Sequence, residues 1–310
     1  MQRRKSLREK RKKSKLKSKL TYGIVAVILI FVVFLAYSLL HKNPSSNNQT
    51  SPPRAALIDH LSFSSPPPNE TFKVQCRTIL EGAGFDFTYY RGEEVTVNFY
   101  RNLPTYDYSL MVLRVHSAVI KDEKGNLTNL VGLFTSEVYN ETTIDPQYLS
   151  ELHEGRLALA RLFTDKETYY FGITPFFAQS SMAGNFKDTV IIMMGCEGLN
   201  KTSMAEALVQ RGAKAYISWT GPVEISHTDD ATIRLLQSLL QQNQTIENAV
   251  EGISHDPTWK WSDLDYYPRD VGDDTIQDFI SGLTLTIANI SVVCYEVCLL
   301  SSSNRFEAMK

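Results

Sequence analysis

One stretch limits what this chain can be: Leu20 to Leu40 runs for 21 residues without a charge. As a helix rising about 1.5 Å per residue it would reach about 30 Å, the depth of a bilayer's hydrocarbon core. The sequence therefore predicts a membrane-spanning helix over residues 20–40, with the lipid bilayer as a partner. A cleavable signal peptide would have a shorter apolar region and small residues ahead of the cut, and Ser38-Leu39-Leu40-His41-Lys42 has no such pattern. The helix also divides the charge. Residues 1–19 hold 11 of the 32 Lys and Arg and one acid, Glu9, a net of +10, whereas residues 41–310 hold 21 basic and 33 acidic residues, a net of −12. Basic charge beside the helix makes residues 1–19 a cytoplasmic tail and sends the remainder outside the cell or into a lumen. A nucleic-acid partner is excluded on the same count, because it would need the basic charge on the folded part.

Asn-x-Ser/Thr sequons agree with export. They begin at Asn48, Asn69, Asn126, Asn140, Asn200, Asn243 and Asn289, seven in all and every one beyond the membrane helix. The 15 Asn and 51 Ser and Thr of the chain would give about two or three by chance. Residues 41–55 are rich in Ser, Asn and Pro and read as a flexible stalk. Residues 56–310 read as a folded domain, since 43% hydrophobic and 21% charged residues overall exclude wholesale disorder. Short apolar runs alternating with helical periodicity predict an α/β domain with a mostly parallel sheet. Strands are expected at Ala56–Asp59, Phe85–Tyr90, Tyr108–Val115, Val190–Met194 and Ala213–Trp219. Helices are expected at Phe72–Leu80 closed by Gly82, at Val95–Leu103, from a capping box at Ser203 and Glu206 up to Gly212, and from Asp230 to Gln241.

Two of these strands end in chemistry. Tyr108–Val115 runs into His116-Ser117, and Val190–Met194 runs into Gly195-Cys196-Glu197. In an open parallel sheet the carboxyl ends of the strands are where sites gather. A thiolate attacks a carbonyl carbon when an imidazole within reach takes its proton and later protonates the leaving amine. His116 and Cys196 are thus a candidate acid/base and nucleophile. The alternative is a hydrogen-bonded strand-end histidine and a small buried cysteine.

The segments YSLMVLRVHS and VIIMMGC resemble the caspase-like cysteine peptidases of clan CD, which include caspases, gingipains, separase and the CHAT proteins. In that family one apolar strand leads to a His-Gly pair and the next core strand leads to the catalytic Cys. The stretch GAKAYISWTGPVEISHTDDATIRLLQSLL is similar to the CHAT segment in which a Gly-Ala strand leads to a Trp and then to an acidic residue opening a helix. The resemblance spans residues 56–252 and implies a caspase-like three-layer domain, peptide or protein substrates, no cofactor, and an oxyanion site from the backbone N–H groups of Ser117 and Cys196. The family's Gly after the His is here Ser117, whose Cβ bears on catalysis. The long interval between His116 and Cys196 implies an insertion drawn from residues 121–126 and 139–186.

Other residues carry two readings each. Trp219 is a pocket wall or core, Asp229 a substrate contact or a helix N-cap, and Glu197 a contact for a basic substrate side chain. Of the four cysteines, Cys196 as a thiol leaves Cys76, Cys294 and Cys298 for one disulfide and one buried thiol. His60, His153, His227 and His255 have no metal-ligand spacing, and no zinc-protease, serine-hydrolase or P-loop pattern occurs. The sequence thus reads as a single-pass membrane protein carrying an extracytoplasmic cysteine endopeptidase, or else a non-catalytic binding or scaffold ectodomain of the same fold.

Overall fold

The structure, a computed structural model, describes residues 51–64, 69–162, 165 and 167–280. The expected membrane helix, Asn48, Asn289, Cys294 and Cys298 lie outside these, and among the described residues no helix is long and apolar enough to cross a membrane. In chain order the strands are β1 (Arg54–Asp59), β2 (Asp86–Arg91), β3 (Leu110–Arg114), β4 (Ser117–Lys121), β5 (Leu127–Val138), β6 (Leu157–Ala160), β7 (Tyr170–Ile173), β8 (Thr189–Met193), β9 (Ala213–Trp219) and β10 (Leu264–Tyr267). Six of them form one sheet in the order β10-β9-β8-β3-β1-β2, parallel except for β10. The other four form an antiparallel sheet in the order β4-β5-β7-β6. This second sheet lies between His116 and β8, but only β6 and β7 fall within the expected insertion at 139–186; β4 and β5 flank the 121–126 turn.

The helices are α1 (Leu61–Ser64), α2 (Glu70–Gly82), α3 (Val97–Asn102), α4 (Pro146–His153), α5 (Pro175–Ser180), α6 (Ser203–Gln210), α7 (Ile225–Leu236) and α8 (Ile246–Glu251). The near-continuous apolar runs of β3 and β8 are explained by cover on both faces. Alternate residues serve opposite layers: Met111, Leu113, Ile191 and Met193 pack toward α3, α5, α6 and the second sheet, while Leu110, Val112, Val190 and Ile192 pack toward α2, α7 and α8. Each such side chain, at most 1% exposed, contributes about 1.5–3 kcal/mol by leaving water. The result is a mixed α/β domain of three layers.

Several boundaries differ from the sequence reading. The first strand opens at Arg54, two residues ahead of Ala56, because Arg54 reaches the Tyr106 carbonyl and lies over the Tyr108 ring. Gly82 ends α2 inside the helix, and Gly84, at φ +89°, takes the left-handed position. Ser203 does not cap α6: its hydroxyl accepts from the Val131 N–H, and Thr202 precedes the helix instead. The helix expected from Asp230 begins five residues earlier, at Ile225, and passes into a π-helical turn over Gln237–Gln241.

Candidate functional site

β1 lies between β2 and β3, so the strand order reverses there, and the carboxyl ends of β1 and β3 are where an open α/β sheet gathers its sites. Leu113 pairs with Met193 across β3 and β8, so His116 and Cys196 each stand three residues past a paired position on adjacent parallel strands. The two strand-end segments touch. Met194 N–H donates to the Leu113 carbonyl at 2.9 Å, and Ser117 Oγ donates to the Cys196 carbonyl. A Cβ on Gly195 would stand 2.2 Å from the Val115 oxygen and 2.6 Å from Ser117 Oγ, so glycine is what lets the chain run this close.

The two side chains are bonded to different partners and not to each other. Cys196 Sγ donates to the Val223 carbonyl at 3.7 Å, and His116 Nε2 meets Ser64 Oγ at 3.0 Å. The His116 ring also packs against His60 and Phe134, each with centroids 5.7 Å away. Burial, with help from the Arg114 charge, pulls His116 down to about 4. Burial pushes the Cys196 thiol up, and the carboxylates of Glu197 and Glu224 push the same way. At neutral pH the pair is therefore a thiol and a neutral imidazole. Cys196 and Cys76 are both free thiols.

Backbone donors are present for a developing oxyanion. The Phe134 N–H donates to the His116 carbonyl at the start of the β4–β5 ladder, so the next residue, Ser117, turns its N–H away from β5. Ser117 is not among the residues with positive φ, so its side chain costs no backbone strain where the resembling family has Gly. Among the described residues the Cys196 N–H has no hydrogen-bond acceptor in another residue. Glu197 follows at φ +59°, a left-handed conformation that costs a non-glycine residue about 1–2 kcal/mol. Its N–H donates to the Gly221 carbonyl and its Oε2 accepts from the Val119 N–H at 3.2 Å.

Beneath these residues lies a charged cluster that sequence reading did not assemble. Arg114, at the end of β3, donates through Nε and Nη2 to the two carboxylate oxygens of Asp229, and through Nη1 to Asp59 Oδ1, all at 2.8–2.9 Å. Asn69 Nδ2 and Tyr89 Oη supply further donors to Asp229 and Asp59. Asp229 therefore lies inside α7, neither capping it nor open to a substrate, because a buried guanidinium needs its carboxylate. One signal was available: Arg114 is the single charge in the apolar run Tyr108–Val115, and a charge in a buried strand requires a buried partner.

Trp219 takes the core reading. It is 1% exposed and its indole N–H donates to Thr228 Oγ1, so it walls no cleft. His60 is buried behind His116, with no hydrogen-bond partner for Nδ1 among the described residues, and burial together with His116 lowers it to about 4. The sequence offered no metal-ligand spacing for His60 and nothing to single out Ser64; the fold brings both beside His116. Asn126, Asn140 and Asn243 are exposed. Asn69 and Asn200 instead engage Nδ2, the atom a glycan would occupy, with Asp229 and with the Thr220 carbonyl. Among the described residues no group of His, Cys, Asp and Glu is arranged to hold a metal. No known protein-family model matches the chain, and no curated protein matches its sequence.

Proposed function

We propose that this chain is a membrane-anchored, extracytoplasmic cysteine peptidase of caspase-like fold, with Cys196 as nucleophile and His116 as acid/base. What supports this reading is the common register of the two residues on adjacent parallel strands, beside a Cys196 N–H with no acceptor in another residue among the described residues and a Ser117 N–H turned away from β5. Before reaction the thiol leaves the Val223 carbonyl and the imidazole leaves Ser64, since each is now bonded elsewhere. The thiol proton passes to the neutral imidazole as sulfur bonds to the substrate carbonyl carbon. The oxyanion that forms accepts from the N–H groups of Ser117 and Cys196. The imidazolium returns its proton to the amine nitrogen as the C–N bond breaks. Water, giving its proton to the same imidazole, then splits the thioester and restores the thiol.

The separate partners of Cys196 and His116 favour a second reading, a binding or scaffold ectodomain that keeps the fold without turnover. Iodoacetamide labelling of the full chain in detergent separates the two, with wild type, His116→Ala and Cys196→Ala compared by mass mapping of the modified cysteine. A working dyad gives rapid alkylation at Cys196 that slows about a hundredfold without His116, the low end of general-base effects. Equal rates with and without His116 would hand the function to the second reading.

A further inference from the structure

β4 is an edge strand, and the pattern of its ladder fixes which way its polar groups point. His116 and Ala118 face Phe134 and Gly132 in the bonded pairs, so Ser117 and Val119 present their N–H and C=O groups on the side away from β5. That side is where the β8 strand end lies: Ser117 Oγ reaches the Cys196 carbonyl, and the Val119 N–H reaches the Glu197 side chain. Ser117 and Val119 are each 7% exposed, so this edge, which pairs with no second strand among the described residues, lies under the Cys196–Glu197 segment. Once uncovered, such an edge beside a candidate nucleophile is a template for an extended chain.

Among the described residues the outward N–H of Val119 has an unusual acceptor. The Val119 N–H is met by carboxylate Oε2 of Glu197, a residue held in left-handed backbone conformation at φ +59°. That conformation is sparsely populated for a residue with a Cβ, and such strain concentrates where a segment has to rearrange. A carboxylate oxygen on a strand-edge N–H has the chemistry of a neighbouring strand's carbonyl oxygen. We propose that the outward edge of β4 is the docking strand for the main chain of an extended polypeptide, and that the Glu197 carboxylate holds the place of a substrate carbonyl on Val119 until substrate displaces it.

The inference rests on the peptidase reading for its substrate and adds to it the direction in which the substrate runs. It also assigns Glu197 a role different from a contact for a basic side chain. The carboxylate acts as an internal stopper, and the specificity of the edge is for backbone amides, with side chains alternating to either side.

The test compares wild type, Glu197→Ala and Val119→Pro in the full chain, each labelled with iodoacetamide and with a mixed-sequence tetrapeptidyl acyloxymethyl ketone. Proline is suited to the position because the Val119 N–H takes no part in the β4–β5 ladder. Glu197→Ala is expected to speed the tetrapeptidyl reagent about tenfold relative to iodoacetamide, the value of one main-chain hydrogen bond. Val119→Pro is expected to abolish that advantage. Equal acceleration of both reagents in Glu197→Ala, or an undiminished advantage in a folded Val119→Pro protein, overturns the proposal. If Val119→Pro does not fold, tetrapeptidyl reagents with each amide reduced in turn are used on Glu197→Ala: loss of rate at one position supports the docking strand and no loss at any position refutes it. Iodoacetamide alone reports on the peptidase reading. If Cys196 proves inert to it, amide hydrogen exchange decides the remaining point, because a Val119 amide no better protected in wild type than in Glu197→Ala means that the stopper does not exist.

Discussion

Replacing Asp229 by alanine removes both carboxylate oxygens from the fork of Arg114 and the acceptor of Asn69 Nδ2. The Arg114 side chain is 4% exposed, so water cannot reach it in compensation. Asp59 retains one of the three bonds to the guanidinium. Breaking a buried pair from one side costs about 3–5 kcal/mol, because a charge is left without its partner. In a folded unit of this size about 1 kcal/mol moves the midpoint by about 2–4 °C, so Asp229→Ala should lower Tm by about 6–20 °C. Thermal unfolding of the full chain in detergent, followed by fluorescence of Trp219, reads this directly, since its indole N–H is bonded to Thr228 one residue before Asp229. Arg114→Met with Asp229→Leu should lose less than Asp229→Ala alone, because no guanidinium is then stranded. A midpoint within about 2 °C of wild type for Asp229→Ala would refute the cluster as described.

The depressed His60 and His116 predict a pH dependence of stability. Both pKa values fall from 6.5 to about 4 on folding, so the unfolded chain binds more protons below 6.5. Their contribution to stability is complete above pH 6.5 and is lost as pH falls toward 4; a flat unfolding free energy over that window, or no flattening in a His60→Phe/His116→Phe protein, would contradict the assignment. If residues 56–310 face a glycosylating compartment, Asn126, Asn140 and Asn243 should carry glycans and Asn69 and Asn200 should not, which glycopeptide mass spectrometry after expression in a eukaryotic cell decides. A glycan on Asn69 in folded protein would mean that its bond to Asp229 is absent.

What the sequence revealed was set by local pattern. Continuous apolar runs identify β3 and β8, and their final residues identify His116 and Cys196, since a strand buried on both faces must end where its polar neighbours begin. The start of α7 was hidden because Asp229-Asp230 has the local look of an N-cap; only the arrival of Arg114 from a strand far away in the chain shows why Asp229 lies inside the helix. The same holds for the second sheet, whose strands β6 and β7 are four residues each and too short to show a period. Ser64 and His60 were invisible as neighbours of His116 because the parallel pairing of β1 with β3, Asp59 against Arg114, brings them there, and no spacing in the sequence records it.

The Arg114 fork also says something about synthesis. Its partners are 55 and 115 positions away along the chain, and the bond from Asn69 to Asp229 closes a span of 160. A chain emerging from the ribosome carries Arg114 long before Asp229 exists, so β3 has only Asp59 to meet its guanidinium during that interval. Its central sheet can close around the charge once α7 has emerged, which makes the clamp a late event whose non-local closure slows folding. A ribosome stalled between Arg114 and Asp229 would present an unsealed sheet, and the nascent domain would depend on chaperone cover until the helix that supplies the second carboxylate arrives.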